Sequence, residues 1–138
     1  MGTVLTPQLS KKNQYYIPKH RMYELKHYCL QYYYWVDALA DINFIQSHGI
    51  SFARIKSSVI TDPTADIAEI RESIVRNIET VERCCKLADP VIGRYILVGV
   101  SEGWGYDKIK ARENIPCSKE VYYKLYRKFF WLLDKERQ

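Results

Sequence analysis

Residues 103–137 read GWGYDKIKARENIPCSKEVYYKLYRKFFWLLDKER, and this stretch decides the fold. Tyr106 to Glu113 predicts a short helix with Tyr106 and Ile109 facing inward. Asn114-Ile115-Pro116-Cys117 predicts a turn: Asn tolerates the left-handed conformation that a turn demands, and Ile115 plugs the core. Ser118 is a good N-cap, and Glu120 in the first turn suits the helix dipole. The helix that follows should run to about Lys135.

On this long helix Val121, Leu125, Phe129 and Leu132 are expected to form one buried stripe, which Tyr122, Tyr126 and Leu133 widen. The opposite face of the first two turns then displays Lys119, Glu120, Tyr123, Lys124 and Arg127, at spacing i, i+1, i+4, i+5 and i+8. A helix that reads DNA needs this arrangement, with donors near its N-terminus to reach base edges and an apolar back to hold it rigidly. Lys108, Lys110 and Arg112 on the preceding helix are placed to contact phosphates. Short-helix, turn, long-helix units also occur in plain bundles, and a basic face is what any solvated helix shows. The distribution of charge argues for the sharper reading. Residues 104–138 hold nine Lys or Arg against five acids, whereas residues 1–103 hold twelve against eleven. Almost all of the net charge of +5 therefore sits in the last quarter of the chain, which points to a polyanion partner there.

Outward from this module the pattern stays helical. Pro18 to about Gln46 shows one long helical run, with Leu25, Tyr28, Tyr32, Trp35, Leu39 and Ile42 marking a heptad seam and Gly49 as its stop. Tyr33 and Tyr34 lie off that seam and call for a second packing surface, either the C-terminal module or another subunit. Residues 50–63 connect to a second long helix, which starts at the Asp62-Pro63-Thr64 turn and runs to about Leu87. Its stripe is Ile67, Ile70, Ile74, Ile78, Val81, Cys85 and Ala88. A third helix should span Pro90 to about Val100. The expected fold is all-α: a long antiparallel helical hairpin followed by a C-terminal helix-turn-helix. The expected divisions are residues 1–17 as a flexible arm, 18–88 as the hairpin, available for packing or oligomerisation, and 89–138 as the DNA-binding module.

Several function classes are disfavoured. No stretch approaches 18 consecutive apolar residues, and the N-terminus has no apolar run of the signal-peptide kind, so a cytoplasmic protein without membrane contact is expected. Cys29, Cys84, Cys85 and Cys117, with His20, His27 and His48, match no zinc spacing and read as buried thiols in a reducing compartment. Ser-His-Asp, paired-carboxylate and glycine-rich phosphate motifs are all missing, so neither enzyme activity nor a metal or other cofactor is expected.

Two resemblances add to this reading. Arg94 through Leu133 resembles the fourth region of bacterial sigma factors, in Gly105-Tyr106, Ile109, Ile115 and the 119–127 face. It departs at the turn, which is one residue longer, and in Asn114 where glycine is typical. The chain is more closely similar, over residues 20–137, to small phage and prophage late-transcription regulators of the ArpU/RinA type. The specific part is Ile115 to Ser118, Tyr122-Tyr123 and Arg127 to Leu133. That resemblance implies a sequence-specific DNA-binding regulator of phage late genes, acting in the bacterial host cytoplasm on double-stranded DNA. RNA polymerase and further copies of the chain are candidate partners. The rival readings are a small-terminase-like DNA-packaging protein and an adaptor that grips RNA polymerase.

Overall fold

A computed structural model describes residues 11–48 and 66–138, and these form an all-α protein. The helices are α1 (Lys19–Cys29), α2 (Tyr32–His48), α3 (Ile67–Ala88), α4 (Gly93–Glu102), α5 (Tyr106–Glu113) and α6 (Lys119–Glu136). The expected helix stop at Gly49, the connector 50–63 and the Asp62-Pro63-Thr64 start lie outside the described residues, as do the first ten residues of the expected arm.

The single helix expected over 18–46 is two helices. The break falls at Leu30-Gln31, where the Leu30 N–H still reaches the Lys26 carbonyl and Gln31 accepts the first bond of the next run, from the Trp35 N–H. The burial pattern supplies the reason. Leu25, Tyr28 and Cys29 are buried before it, then Tyr32, Trp35, Ala38, Ile42 and Ile45 after it. On one ideal helix these two sets would face directions roughly 100° apart, the rotation of about one residue. The break absorbs that change of phase, so Ala38 is buried where the heptad seam had placed Leu39.

The chain forms two compact units, one of residues up to Leu30 with Thr80–Gln138, the other of Gln31–Glu79. This grouping cuts across the divisions expected at 17/18 and 88/89. In the second unit, Arg71 Nε donates to Asn43 Oδ1 (3.0 Å), tying α3 to α2. The stripe expected on α3 is buried from Ile74 onward, at Ile78, Val81, Cys85 and Ala88, with Cys84 beside it.

In the first unit α1 packs on α4 and α6, while α4, α5 and α6 pack on one another. The residues just before α1 belong to this packing. Ile17 is buried, and the Tyr15 ring meets Trp131 of α6 edge-on at 5.6 Å. Within the expected arm, residues 15 and 17 thus make contact with the helices through an apolar Ile and an aromatic pair. α4 starts later than Pro90 because Asp89 Oδ2 accepts the Val91 and Ile92 N–H groups in a turn (2.9 and 2.8 Å). Its buried side is Ile92, Ile96 and Gly99, while Val91 is exposed. Gly93 is required for closeness: an added Cβ would meet the Cys85 carbonyl carbon at 2.8 Å. Gly103 ends α4 in the left-handed conformation (φ 73°), where glycine carries no steric penalty.

Candidate nucleic-acid interface

The turn between α5 and α6 follows the local chemistry. Asn114 is left-handed (φ 56°, ψ 63°), its N–H bonds the Lys110 carbonyl (3.0 Å), and Ile115 is buried. Ser118 Oγ accepts the Val121 N–H (3.2 Å), which caps α6. Two tyrosines lock the unit further. The Tyr106 hydroxyl donates to the Cys117 carbonyl (2.6 Å), and the Tyr106 N–H donates to Tyr123 Oη (3.1 Å). α5, the turn and α6 are thus braced at the start of both helices. Lys119 adds a surface ion pair to Asp107 (3.3 Å), which contributes little because both groups are well exposed.

The inner face of α6 is aromatic. Tyr122, Tyr126, Phe129, Phe130 and Leu133 are buried, and successive rings touch: Tyr106–Tyr122 at 5.6 Å, Tyr126–Phe130 at 5.0 Å and Phe129–Phe130 at 4.9 Å. Burial pushes the Tyr122 and Tyr126 hydroxyls well above the usual tyrosine range, so both stay neutral.

The faces of α6 differ from those expected. Tyr123 is 8% exposed and lies in the core, because its hydroxyl finds the Tyr106 N–H and no longer needs water. Val121, expected in the stripe, is 46% exposed, and Leu125 and Leu132 are half-buried. The buried face is turned toward Tyr122, Tyr126, Phe129 and Leu133, at spacing i, i+4, i+7 and i+11. Arg127 sits half-buried at the edge of the outward face, with its Nε shielded from solvent and bonded to no described residue.

The outward face that results is Glu120, Val121, Lys124, Lys128, Trp131 and Lys135, with Glu120, Val121, Lys124 and Lys135 exposed and Lys128 and Trp131 half-buried. Lys124 is where the sequence placed it. Lys128 was missed, although its spacing of i+4 from Lys124 would have found it once the phase was set by Tyr122. On α5, Lys108, Lys110 and Arg112 are exposed as expected. Lys108 Nζ lies 4.6 Å and Arg112 Cζ 5.4 Å from the Trp104 ring centroid, so one indole holds two cations a helical turn apart. Lys110 Nζ lies 5.8 Å from the Tyr106 ring centroid. Lys119 is exposed at the start of α6 and joined to α5 through Asp107.

Cys29, Cys84 and Cys85 are buried, and Cys117 is half-buried. Burial pushes the Cys29 and Cys85 thiols far up and lifts Cys84 to about 11, so none of the three is a ready thiolate. Among the described residues no group of three or more His, Cys, Asp or Glu side chains is gathered to hold a metal, and no helix is long and apolar enough to cross a membrane. Comparison with protein-family models, with curated proteins and with solved structures gives no significant match.

Proposed function

We propose that the chain is a sequence-specific double-stranded-DNA-binding regulator in which the outward face of α6 enters the major groove and α5 contacts the phosphate backbone. One observation carries this reading: Lys124 and Lys128 stand on the face opposite a packed aromatic core, on a helix fixed at its start by the Ser118 cap and the Tyr106–Tyr123 bond. A reader helix needs rigid backing together with exposed donors, and both are present. Lys108 and Arg112, ordered over Trp104, suit phosphates, as do the backbone amides at the start of α6. Regulation of phage late genes is what the resemblance to the ArpU/RinA type adds.

Titration of a labelled duplex over a range of salt concentrations tests this. With about four to six phosphate contacts, log affinity should fall against log salt with a slope on the order of −4 to −5. An affinity that stays flat with salt contradicts it. The packaging reading draws on exposed aromatics of α2, Tyr34 (61%) and Phe44 (55%), which suit subunit contacts. A large closed ring in solution would favour packaging, and a monomer or dimer the regulator. Capture of RNA polymerase without any DNA retention at low salt would favour the adaptor.

A further inference from the structure

We propose that Lys11, Lys12 and the far end of α6 form a second contact to double-stranded DNA, a sequence-independent clamp on the phosphate backbone beside the groove that Lys124 and Lys128 enter. This rests on the DNA-binding reading above and adds a location that the resemblance does not supply.

The arm is anchored. Asn13 folds a turn, its Oδ1 accepting the Tyr15 N–H (2.8 Å) and its carbonyl accepting the Tyr16 N–H (3.1 Å). Tyr15 then meets Trp131 edge-on at 5.6 Å, and Lys135 Nζ lies 4.2 Å from the Trp131 ring centroid. Trp131 therefore ties the arm to the last turns of α6, and Lys11 and Lys12 are exposed just ahead of that tie.

The charge at this end is one-signed. Lys124, Lys128 and Lys135 share the outward face of α6, and the neighbouring acids are engaged elsewhere. Asp134 accepts from Arg21 Nε (2.6 Å), and Glu136 accepts from Arg83. Glu120, at the opposite end, is the one acid on that face. Three lysines and no carboxylate in the second half make a polyanion the fitting partner. As point charges on flexible stems, Lys11, Lys12 and Lys135 suit phosphates. The two rings are already packed on each other and on a lysine, so they are not free platforms for unstacked bases.

Length fixes where this end would lie. From Lys124 to Lys135 is eleven residues, about 16 Å along the helix axis. The major groove is about 12 Å wide. A helix that enters the groove by its first turns, with Lys124 at base edges and its far end rising across the border, carries Lys135, and the arm tied beside it, out over a bordering strand.

The test uses the full chain with K11A/K12A/K135A, compared with K124A/K128A, on a specific and an unrelated duplex. Each lost phosphate contact should lower the salt slope by about 0.9. The triple variant should thus lose about 2 to 3 from the slope on both duplexes, with the ratio of specific to unrelated affinity unchanged and the melting temperature unmoved. Trp131→Ala should remove most of the effect of K11A/K12A, because the arm is then untied. An unchanged slope in the triple variant, with binding lost in K124A/K128A, overturns the clamp and leaves the DNA-binding reading standing. No effect of either variant overturns both. The same K11A/K12A loss with and without Trp131 overturns the anchoring. A preference for single strands over duplex, lost in the Trp131 variant, overturns the backbone assignment in favour of base stacking.

Discussion

The two faces of α6 are made of different chemistry on the same eighteen residues. The inner face is five aromatic rings and a leucine, with Tyr122, Phe129, Phe130 and Leu133 wholly buried. The outer face is lysine, with one valine, one glutamate and one tryptophan. The difference teaches that stability and the proposed binding are separable in this helix. Removing an inner side chain opens a cavity that the close-packed neighbours cannot fill. Removing an outer one changes only what the helix presents to a partner. Tyrosine is the residue that blurs the contrast, since its ring belongs inside and its hydroxyl needs a partner wherever it lies.

The largest expected effect concerns the interior around that inner face. Burial raises the thiols of Cys29, Cys84 and Cys85 above a free thiol's ordinary value of about 8.5. Above that pH the unfolded chain releases protons that the folded chain keeps, so stability is full below it and declines as pH rises. Each thiol contributes a loss of about 1.4 kcal/mol per pH unit well above that value. Thermal melts between pH 8 and 10 should show a steep fall in melting temperature, and a flat profile would mean that these thiols reach solvent. Next is Phe129→Ala, which should destabilise the fold by about 3–5 kcal/mol in denaturant titrations. A loss below about 1 kcal/mol would place Phe129 outside the core.

The two adjacent tyrosines sharpen the comparison at smaller scale. Tyr123→Phe breaks the bond from the Tyr106 N–H and leaves a buried donor unpaired, so it should lower stability by about 1–3 kcal/mol. Tyr122→Phe removes a buried hydroxyl that bonds no described residue, so it should be neutral or slightly stabilising. Equal losses from both would erase the distinction. Smallest of all, Lys124→Ala and Lys128→Ala should each move stability by less than about 0.5 kcal/mol in the same titrations.

The all-α class was legible because the apolar residues of 18–46, 64–88 and 106–135 recur at helical spacing. The α5–turn–α6 unit was legible in detail because its signals are local: Asn114 takes the left-handed conformation, Ile115 is buried and Ser118 caps α6. What escaped was phase. Val121, Tyr122 and Tyr123 are three consecutive residues that each fit an inward face, and tertiary contacts, of Tyr122 and Tyr123 with Tyr106 among them, decide which do. The break at Leu30-Gln31 escaped for a related reason. Neither residue interrupts a helix, and the change of buried face that demands the break is a tertiary fact. The contacts of Tyr15 and Ile17 were not legible because a single Ile and a single Tyr make no periodic pattern.

The most direct test of the proposed DNA-reading role of α6 is the affinity of K124A/K128A for its selected duplex, measured beside its melting temperature. If these lysines reach base edges, affinity should fall by about 1–3 kcal/mol for each, roughly five- to 150-fold, with selectivity relaxed and melting unchanged. Undiminished affinity and selectivity in a fully folded variant would show that this helix does not read DNA.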